Sequence, residues 1–322
     1  MALIDNIDEI KKHNSALTND LEIETLQSFI DDAINFKLIS AIGFEQYNAL
    51  IGLKVTGSDK EKRAVYLAQK AVTGFTVYNY SDNGSVQLTA AGILVPRSEK
   101  MLPASDKKLI QLRKSNTRSA FAALELLVAF LEDNPVDFPL YAASDERKEN
   151  RSLLINTSSE FQKAGVQIGS DAQLYQTLRV YQSNAEETYI IPTLTEAIAN
   201  VLKGKILTKS LTDAEKTLLR KIQKPLAAYT MYEAIPYLPI SIDSTGIFEL
   251  SETVGGVSGN VENRNAATEK RLSAAMNGYY IRAEQELETL RKYLKEHAAD
   301  FSYTAPQDVL LNDGSISNIY IL

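Results

Sequence analysis

The chain has 322 residues, 44% of them hydrophobic and 23% charged, which is typical of a globular protein of about two domains. It contains no cysteine and only two histidines, His13 and His297. This composition excludes disulfides, thiol nucleophiles and cysteine-ligated metal sites, and it nearly excludes a zinc site built from several histidines. The formal net charge of −7 gives no overall attraction for nucleic acid.

The N-terminal segment is predicted to begin with a short helix rather than a targeting signal. Residues 1–12 have neither the basic region nor the apolar core of a secretory signal. Asn6 and Glu9 have the spacing of a capping box at a helix start. No apolar run approaches the roughly 20 residues of a membrane span. We therefore expect a chain that has no membrane contact and is synthesised in the cytoplasm.

Further helices are predicted along the first half of the chain, followed by a β-prone excursion. Leu26, Ile30 and Ala33 fall at helical spacing on one apolar face. Gly52 is the predicted C-cap of the following helix. The predicted elements are helices over 21–40, 44–51, 59–80 and 106–132, with a hairpin or loose strand pair over 85–95 before the last of them.

A weak internal repeat relates the two halves of the chain. The matches keep one order: 3–12 with 154–163, 33–39 with 185–191, 69–78 with 223–232, 92–93 with 246–247, and 124–138 with 287–301. The offset grows slowly until a larger step beyond residue 246, where residues 253–265 (TVGGVSGNVENRN) resemble an inserted flexible loop. The second half is therefore predicted to repeat the first. A short helix opens at a capping box over Thr157 to Glu160, and helices follow over 172–191 (broken by Pro192), 212–234 and 266–297, with a strand pair over 240–250.

The repeat predicts a mainly α protein of two homologous helical-bundle domains, each with a small β-hairpin excursion. The predicted units are residues 1–143 and 152–303, joined by a polar linker over 144–151. A β-prone C-terminal arm over 304–322 follows, in which Asp313-Gly314 between apolar runs predicts a hairpin. Because a free apolar edge invites aggregation, we expect the arm to dock. The candidate assembly contacts are Asp308, Val309, Leu310, Leu311, Ile316, Ile319, Tyr320 and Ile321.

The motifs that suggest chemistry are each better explained by ordinary structure. The glycine-rich residues 255–259 lack the lysine of a P-loop, which favours a flexible loop. Asp31 and Asp32 point about 100° apart on a helix, which favours a solvated face over a metal pair. His13 and His297 have no counterparts in the other unit, which favours helix-end roles over catalysis. We expect no catalytic residue, no metal and no cofactor.

Aromatic and basic clusters are likewise interpreted as packing and solvated surfaces. Phe75 with Tyr229 and Tyr78 with Tyr232 are rings matched by the repeat, for which core packing is the default explanation over ligand stacking. A dense basic cluster on the helix over 106–132 favours a solvated face over nucleic-acid binding, and contact with acidic neighbours in an assembly stays open. This basic cluster is Lys107, Lys108, Arg113, Lys114 and Arg118.

Residues 21–52 (LEIETLQSFIDDAINFKLISAIGFEQYNALIG) resemble the opening of head–tail connector, or neck adaptor, proteins of tailed phages. The shared pattern is a long acidic and apolar helix that runs into a segment marked by Ile39, Gly43, Tyr47 and Leu50. Residues 75–78, 92–93 and 131–144 resemble an uncharacterised family from Bacteroidota phages and prophages.

The chain departs from the adaptor pattern in two respects. Known adaptors of this kind usually have one unit, whereas this chain has two. Unit two also has Thr195 and Ala199 where unit one has Gly43 and Tyr47.

The resemblance implies a structural virion protein of the phage neck and not an enzyme. Copies would form an oligomeric ring that connects the portal protein to the next neck or tail protein. DNA would pass through the channel without sequence-specific contact, and the acidic balance suits such a passage. The β excursion and the C-terminal arm would supply contacts between subunits or with the portal. Such contacts could form by addition of a strand to an exposed sheet edge.

Three other functions stay open at the level of sequence. The first is another virion role, such as a scaffold, cargo or tail-associated protein, which location in the particle would identify. The second is a non-viral helical interaction protein, which neighbouring genes would reveal. The third is an enzyme with a carboxylate-only Mg²⁺ site, although the chain has neither a D-x-D loop nor a repeated carboxylate constellation.

Overall fold

A computed structural model describes most of the chain as helix. The described residues are 2–15, 17, 21–84, 87–89, 92–94, 105–169, 171–238, 240–243, 246–249 and 269–305. The mainly α prediction is confirmed. The predicted loop over 253–265 and the candidate contacts from Asp308 to Ile321 lie outside the described residues.

The described part of unit one follows one order of elements. Its helices and strands are α1 (Ile7–Lys11), α2 (Ile23–Ala33), a π-helical segment (Ile34–Leu38), α3 (Ile39–Ile42), α4 (Phe44–Thr56), α5 (Asp59–Asn83), β1 (Gln87–Thr89), β2 (Gly92–Leu94), α6 (Asp106–Asp133) and α7 (Pro139–Ala143). A connecting helix, α8 (Asp145–Asn150), follows where the sequence predicted a polar linker. Ser144 caps α8 by accepting a hydrogen bond from the Arg147 backbone N–H, and this cap favours a helix over an open linker.

Unit two repeats this order. Its elements are α9 (Ser158–Lys163), α10 (Ala172–Ala185), a π-helical segment (Glu186–Ile190), α11 (Ile191–Leu194), α12 (Glu196–Thr208), α13 (Asp213–Ala234), β3 (Ile240–Asp243), β4 (Gly246–Glu249), α14 (Glu269–Glu296) and α15 (Ala298–Phe301). The strands pair antiparallel, β1 with β2 and β3 with β4, in the segments where the sequence placed β-prone runs.

The helix starts show local chemistry that the two units share. Ser58 and Glu61 form a reciprocal capping box at α5, and Thr212 and Glu215 form the equivalent box at α13. These caps satisfy backbone N–H groups that have no partner within the helix. Both boxes therefore begin a long helix at the same point of each repeat.

The caps of α1 and α9 differ from the predicted capping box. Asn6 accepts from the Glu9 N–H, as predicted, but the Glu9 carboxylate accepts from the N–H of Asp5, one residue before the cap, at 2.8 Å. In α9 the Glu160 carboxylate accepts in the same way from the Asn156 N–H at 2.8 Å. The predicted reciprocal bond to the N-cap backbone is therefore wrong. In both helices the glutamate carboxylate accepts from the N–H of the residue before the N-cap.

The predicted helix over 21–40 is interrupted by a π-helical turn, which hydropathy spacing does not reveal. The hydrogen-bond pattern widens over Ile34–Leu38 and again over Glu186–Ile190 before α-helical pairing resumes. The prediction that Pro192 breaks the second helix is wrong. Pro192 lies in the first turn of α11, directly after the π segment, where proline is tolerated.

Gly52 does not end a helix, contrary to the prediction. It lies inside α4, which continues to Thr56 and ends at Gly57 as its C-cap. The equivalent Gly204 lies inside α12. A glycine within a helix costs about 1 kcal/mol relative to alanine, and tertiary packing of α4 outweighs that propensity.

Two separate hydrophobic cores confirm the duplication. One core belongs to unit one and the other to unit two, and matched positions such as Leu26 with Leu178 are fully buried in both. Matched polar contacts accompany them. The Gln69 amide donates to the Leu3 carbonyl at 2.8 Å, and the Gln223 amide donates to the Leu154 carbonyl at 3.0 Å.

Candidate functional site

The two units pack against each other through different faces, so the contact runs head to tail. Helix α6 of unit one lies against α10 of unit two. The Ser158 backbone N–H and hydroxyl, at the start of α9, both donate to Glu125 Oε1, at 3.0 and 2.9 Å. Arg179 of α10 donates to the carbonyl of Glu149 in α8 at 2.9 Å. Unit one therefore offers its last long helix, whereas unit two offers its first helices.

Glu125 is the polar centre of this contact. Burial raises the pKa of the Glu125 carboxyl, while the two hydrogen bonds from Ser158 oppose that rise. Beside it, Phe121, Leu124 and Val128 form the apolar wall of a small cavity. The contact thus combines an apolar wall with one carboxylate that is hydrogen-bonded, as buried polar groups generally are.

A second contact between the units is built on a buried carboxylate, Glu132 at the end of α6. Arg147 of α8 binds both oxygens of Glu132, at 3.0 and 3.3 Å, and Arg151 lies 3.7 Å away. Arg147 also donates to the carbonyl of Leu207 in unit two at 2.6 Å. Lys209, just beyond α12, donates to the Glu132 carbonyl at 2.7 Å. This network ties α6, the connecting helix and unit two together.

Unit two has an open groove at the place that corresponds to the covered wall of unit one. The groove measures about 480 Å³ and lies between the π segment with α11 and the last long helix, α14. Its lining includes Thr193, Glu284, Leu287, Glu288 and Arg291. The side chain of Glu288 is 72% exposed and that of Arg291 is 43% exposed. Among the described residues, no element of the chain covers this side of unit two.

Stacked tyrosines form the floor of the groove. The rings of Tyr189 and Tyr229 are parallel, with centroids 4.0 Å apart. The Tyr189 hydroxyl donates to Glu233 at 2.7 Å, and the Tyr229 hydroxyl donates to Glu284. Burial raises the pKa of both tyrosines, and the neighbouring carboxylates raise it further. Both rings therefore stay neutral hydrogen-bond donors, and they give the groove a rigid base.

The structure places the residues singled out in the sequence as follows. Phe75 and Tyr229 are buried core rings, as predicted. Asp31 and Asp32 are both exposed on α2. Across the described ranges, no group of three or more His, Asp or Glu side chains is arranged to hold a metal ion.

The two histidines occupy helix ends, as predicted. His13 follows the C-cap of α1 and packs edge-on against the Tyr66 ring at 4.7 Å. His297 is the N-cap of α15, and its Nδ1 lies 3.0 Å from Asp300 Oδ2. No helix in the part of the chain that the structure describes is long and apolar enough to span a membrane.

The basic cluster on α6 is mostly a solvent-facing surface. Lys108, Lys114 and Arg118 are exposed, whereas the Arg113 guanidinium stacks 5.0 Å from the centre of the Tyr78 ring. The eight candidate contacts of the C-terminal arm lie outside the described residues, and their role stays a prediction.

Sequence reasoning missed the residues that hold the units together. Glu125 and Glu132 look like ordinary surface charges of an amphipathic helix, and Arg147 lies in a stretch rich in charge. One signal was present in the spacing: Glu125 and Glu132 are seven residues apart, which places both on one face of α6. That face is the one that meets unit two.

Family comparison supports the repeat found in the sequence. The profile of the Family of unknown function (DUF6712) matches residues 12–151 and again residues 190–309. No curated protein and no solved structure matches the chain. The chain therefore belongs to the DUF6712 family of unknown function, whose helical domain it contains in two copies.

Proposed function

We propose that this protein is a structural virion protein of a tailed bacteriophage. In this proposal copies form an oligomeric ring that connects the portal to the next neck or tail protein and surrounds the DNA channel. The observation that carries the proposal is the head-to-tail packing of two copies of one helical unit, through α6 of the first and α10 of the second. Head-to-tail contacts between like units are the contacts from which closed rings are built.

Exposed apolar side chains support a role in contact with other proteins. Phe36 is 69% exposed and Phe44 57% exposed, and both lie in the segment that resembles neck adaptors. Val180 on α10 is 66% exposed. Exposed phenylalanines in that segment are candidates for contacts with other proteins in an assembly.

The charge of the chain fits passage of DNA without binding. The net charge of −7 gives the chain an overall repulsion from the phosphate backbone. The protein would then act through shape and contact, with no catalytic step, no cofactor and no sequence-specific contact to DNA. Its location would be the neck of the virion.

The experiment is sizing of the purified full chain with a mass measurement by light scattering, alone and after mixing with the portal protein of the same genome. The proposal predicts an oligomer larger than a dimer and co-migration with the portal. A strict monomer that does not bind the portal contradicts it.

The alternatives make different predictions. Another virion role, as a scaffold, cargo or tail-associated protein, predicts that the protein is found in purified particles but away from the neck. A non-viral helical interaction protein predicts a gene without portal and capsid genes beside it. Either result replaces the neck proposal.

A further inference from the structure

The contact between the two units has a counterpart surface that is left open in unit two. In unit one, Phe121, Leu124, Glu125 and Val128 of α6 form one wall of the inter-unit cavity, with Ala41 at its edge. Residues of α10 form the opposite wall, among them Gln176 and Arg179. The unit-one wall is therefore covered by the first long helix of the following unit.

The same wall recurs in unit two and has no such cover among the described residues. The repeat aligns Leu124 with Leu287, so Phe121, Glu125 and Val128 correspond to Glu284, Glu288 and Arg291. The repeat also aligns Ala41 with Thr193. All five counterparts line the 480 Å³ groove of unit two. The exposed carboxylate of Glu288 thus occupies the position where Glu125 is hydrogen-bonded across the interface.

The complementary face is also exposed, on α2 of unit one. Helix α2 of unit one corresponds to α10 of unit two, because Leu26 aligns with Leu178 and both are fully buried. Glu24 and Gln27 then take the places of Gln176 and Arg179. Both Glu24 and Gln27 are exposed on α2. Among the described residues, each chain therefore has an uncovered groove in unit two. It also has an exposed α2 face in unit one, which corresponds to the α10 face that covers the wall of unit one.

We propose that the groove of unit two binds the α2 face of unit one in a second copy of this chain. The contact repeats, between molecules, the packing that already joins the two units within one molecule. The inference deepens the proposed function, because it names the surfaces through which copies would associate. A head-to-tail contact of this kind leads to a closed ring or an open filament.

The charges of the two faces favour this pairing. In the groove Arg291 replaces Val128, Lys295 replaces Glu132 and Glu284 replaces Phe121, so the wall is less acidic than its unit-one counterpart. The α2 face carries Glu24 where α10 has Gln176, and Asp31 and Asp32 are exposed on the same helix. Opposite charges on facing surfaces set the register of an interface and exclude wrong partners.

The test is a charge exchange followed by sedimentation velocity of the full chain over a range of concentrations. We expect Arg291→Glu and Glu24→Arg each to weaken self-association by about tenfold or more, since each places like charges opposite one another. The double variant, with both substitutions, restores an attractive pair and should recover most of the wild-type association.

A matched control is Lys270→Glu, which makes the same charge change on an exposed residue of α14. Lys270 lies about 30 Å along the helix from Arg291 at 1.5 Å per residue, and its substitution should leave association unchanged. Circular dichroism of each variant confirms that the helices are intact.

Any one of three results from these sedimentation experiments overturns the inference. They are a wild-type chain that stays monomeric at all concentrations, single variants that associate like the wild type, and a double variant no better than the singles. The chain's own C-terminal residues 306–322 are an alternative occupant of the groove. A variant that ends at residue 305 tests this alternative. If that truncation strengthens association while Arg291→Glu has no effect, the chain's own C-terminus covers the groove and the inference is wrong.

The outcome is separable from that of the proposed function. Rescue by the double variant, in a protein that is absent from virions, supports the inference and contradicts the neck assignment. Normal incorporation of the Arg291→Glu variant into particles, with normal self-association, contradicts the inference alone.

Discussion

Single residues show how strongly the repeat determines backbone shape. Thr195 has φ 79° and ψ 148°, nearly the same angles as Gly43, with φ 83° and ψ 153°. The N–H of each donates to the carbonyl four residues earlier, at 2.9 Å for Thr195 and 2.8 Å for Gly43. This conformation is almost restricted to glycine, and a threonine there costs about 1–3 kcal/mol. The junction between two helices thus keeps its geometry even where the sequence has lost the glycine.

We predict that Thr195→Gly stabilises the protein by about 0.5–2 kcal/mol. The gain is the relief of backbone strain, reduced by about 0.5–1 kcal/mol for the greater freedom of glycine in the unfolded chain. Urea denaturation followed by circular dichroism measures it. Gly43→Thr is the matched control and should destabilise, because a Cβ at Gly43 would also lie 2.8 Å from Glu146 Oε2. A destabilised Thr195→Gly variant would show that Thr195 is not strained.

His13 makes the stability of unit one sensitive to pH. Burial lowers the pKa of His13 below its ordinary value of 6.5, and the positive charges of Lys70 and Lys12 lower it further, against opposing effects of Gln69 and Glu9. The unfolded chain therefore binds a proton at His13 at a higher pH than the folded chain does. Stability from this residue is present above pH 6.5 and is lost as the pH falls below it.

We expect His13→Gln to reduce the loss of stability between pH 7.5 and pH 5.5. Glutamine does not titrate, so the contribution of residue 13 to the change of stability with pH disappears. Denaturation midpoints of the wild type and the variant at several pH values provide the measurement. His297→Gln serves as the control, since His297 is 42% exposed. Parallel curves for wild type and His13→Gln would show that His13 does not carry the dependence.

Pairs of long helices organise each unit at the scale of elements. Helices α5 and α6 pack along their lengths in unit one, as α13 and α14 do in unit two. Gly74 allows α5 and α6 to approach each other closely. A Cβ built there would lie 2.8 Å from Ala120 Cβ and 2.9 Å from the Asn116 carbonyl oxygen. A small residue is therefore required where these helices cross.

We predict that Gly74→Ala lowers the free energy of unfolding by about 1–3 kcal/mol, because the added methyl group forces the two helices apart. Gly52→Ala is the matched control within α4, where a Cβ meets nothing within 4 Å. That variant should gain up to about 1 kcal/mol from the higher helix propensity of alanine. Chemical denaturation of both variants measures the contrast. Equal effects of the two substitutions would mean that the helix crossing tolerates the methyl group.

At the scale of the whole molecule, the two units are joined by a buried ion network. Glu132 is 1% exposed and contacts Arg147, whose guanidinium also reaches the Leu207 carbonyl of unit two. Removing one partner of such a pair leaves a charge that is buried and uncompensated. The relative placement of the units thus depends on a few residues around the end of α6.

We predict that Glu132→Ala destabilises the protein by about 3–5 kcal/mol, since it leaves the Arg147 charge without its carboxylate. Hydrogen exchange should show the largest loss of protection in α8 and at the end of α6. Lys148→Ala is the control: Lys148 forms an exposed ion pair with Asp145, and its loss should cost about 1 kcal/mol or less. A Glu132→Ala variant as stable as this control would mean that the network does not hold the units.

The sequence predicted what periodicity and caps encode, and it missed what depends on contacts between distant residues. Leu26, Ile30 and Ala33 form the predicted buried face of α2, and the helices predicted over 59–80 and 212–234 begin within one residue of α5 and α13. The π segments were not predictable, because helical hydropathy spacing is nearly the same for α-helical and π-helical turns. The role of Glu132 was hidden because its partners come from the connecting helix and unit two.

Imaging of the assembled particle tests the central claim, that two head-to-tail units form part of a ring in the phage neck. Electron cryomicroscopy of the purified virions, with the chain fitted by its paired long helices, provides the measurement. The account predicts density for repeated copies of the two-unit body in a closed ring beneath the portal. Virions that show the portal joined directly to another protein, with no such ring, would contradict it.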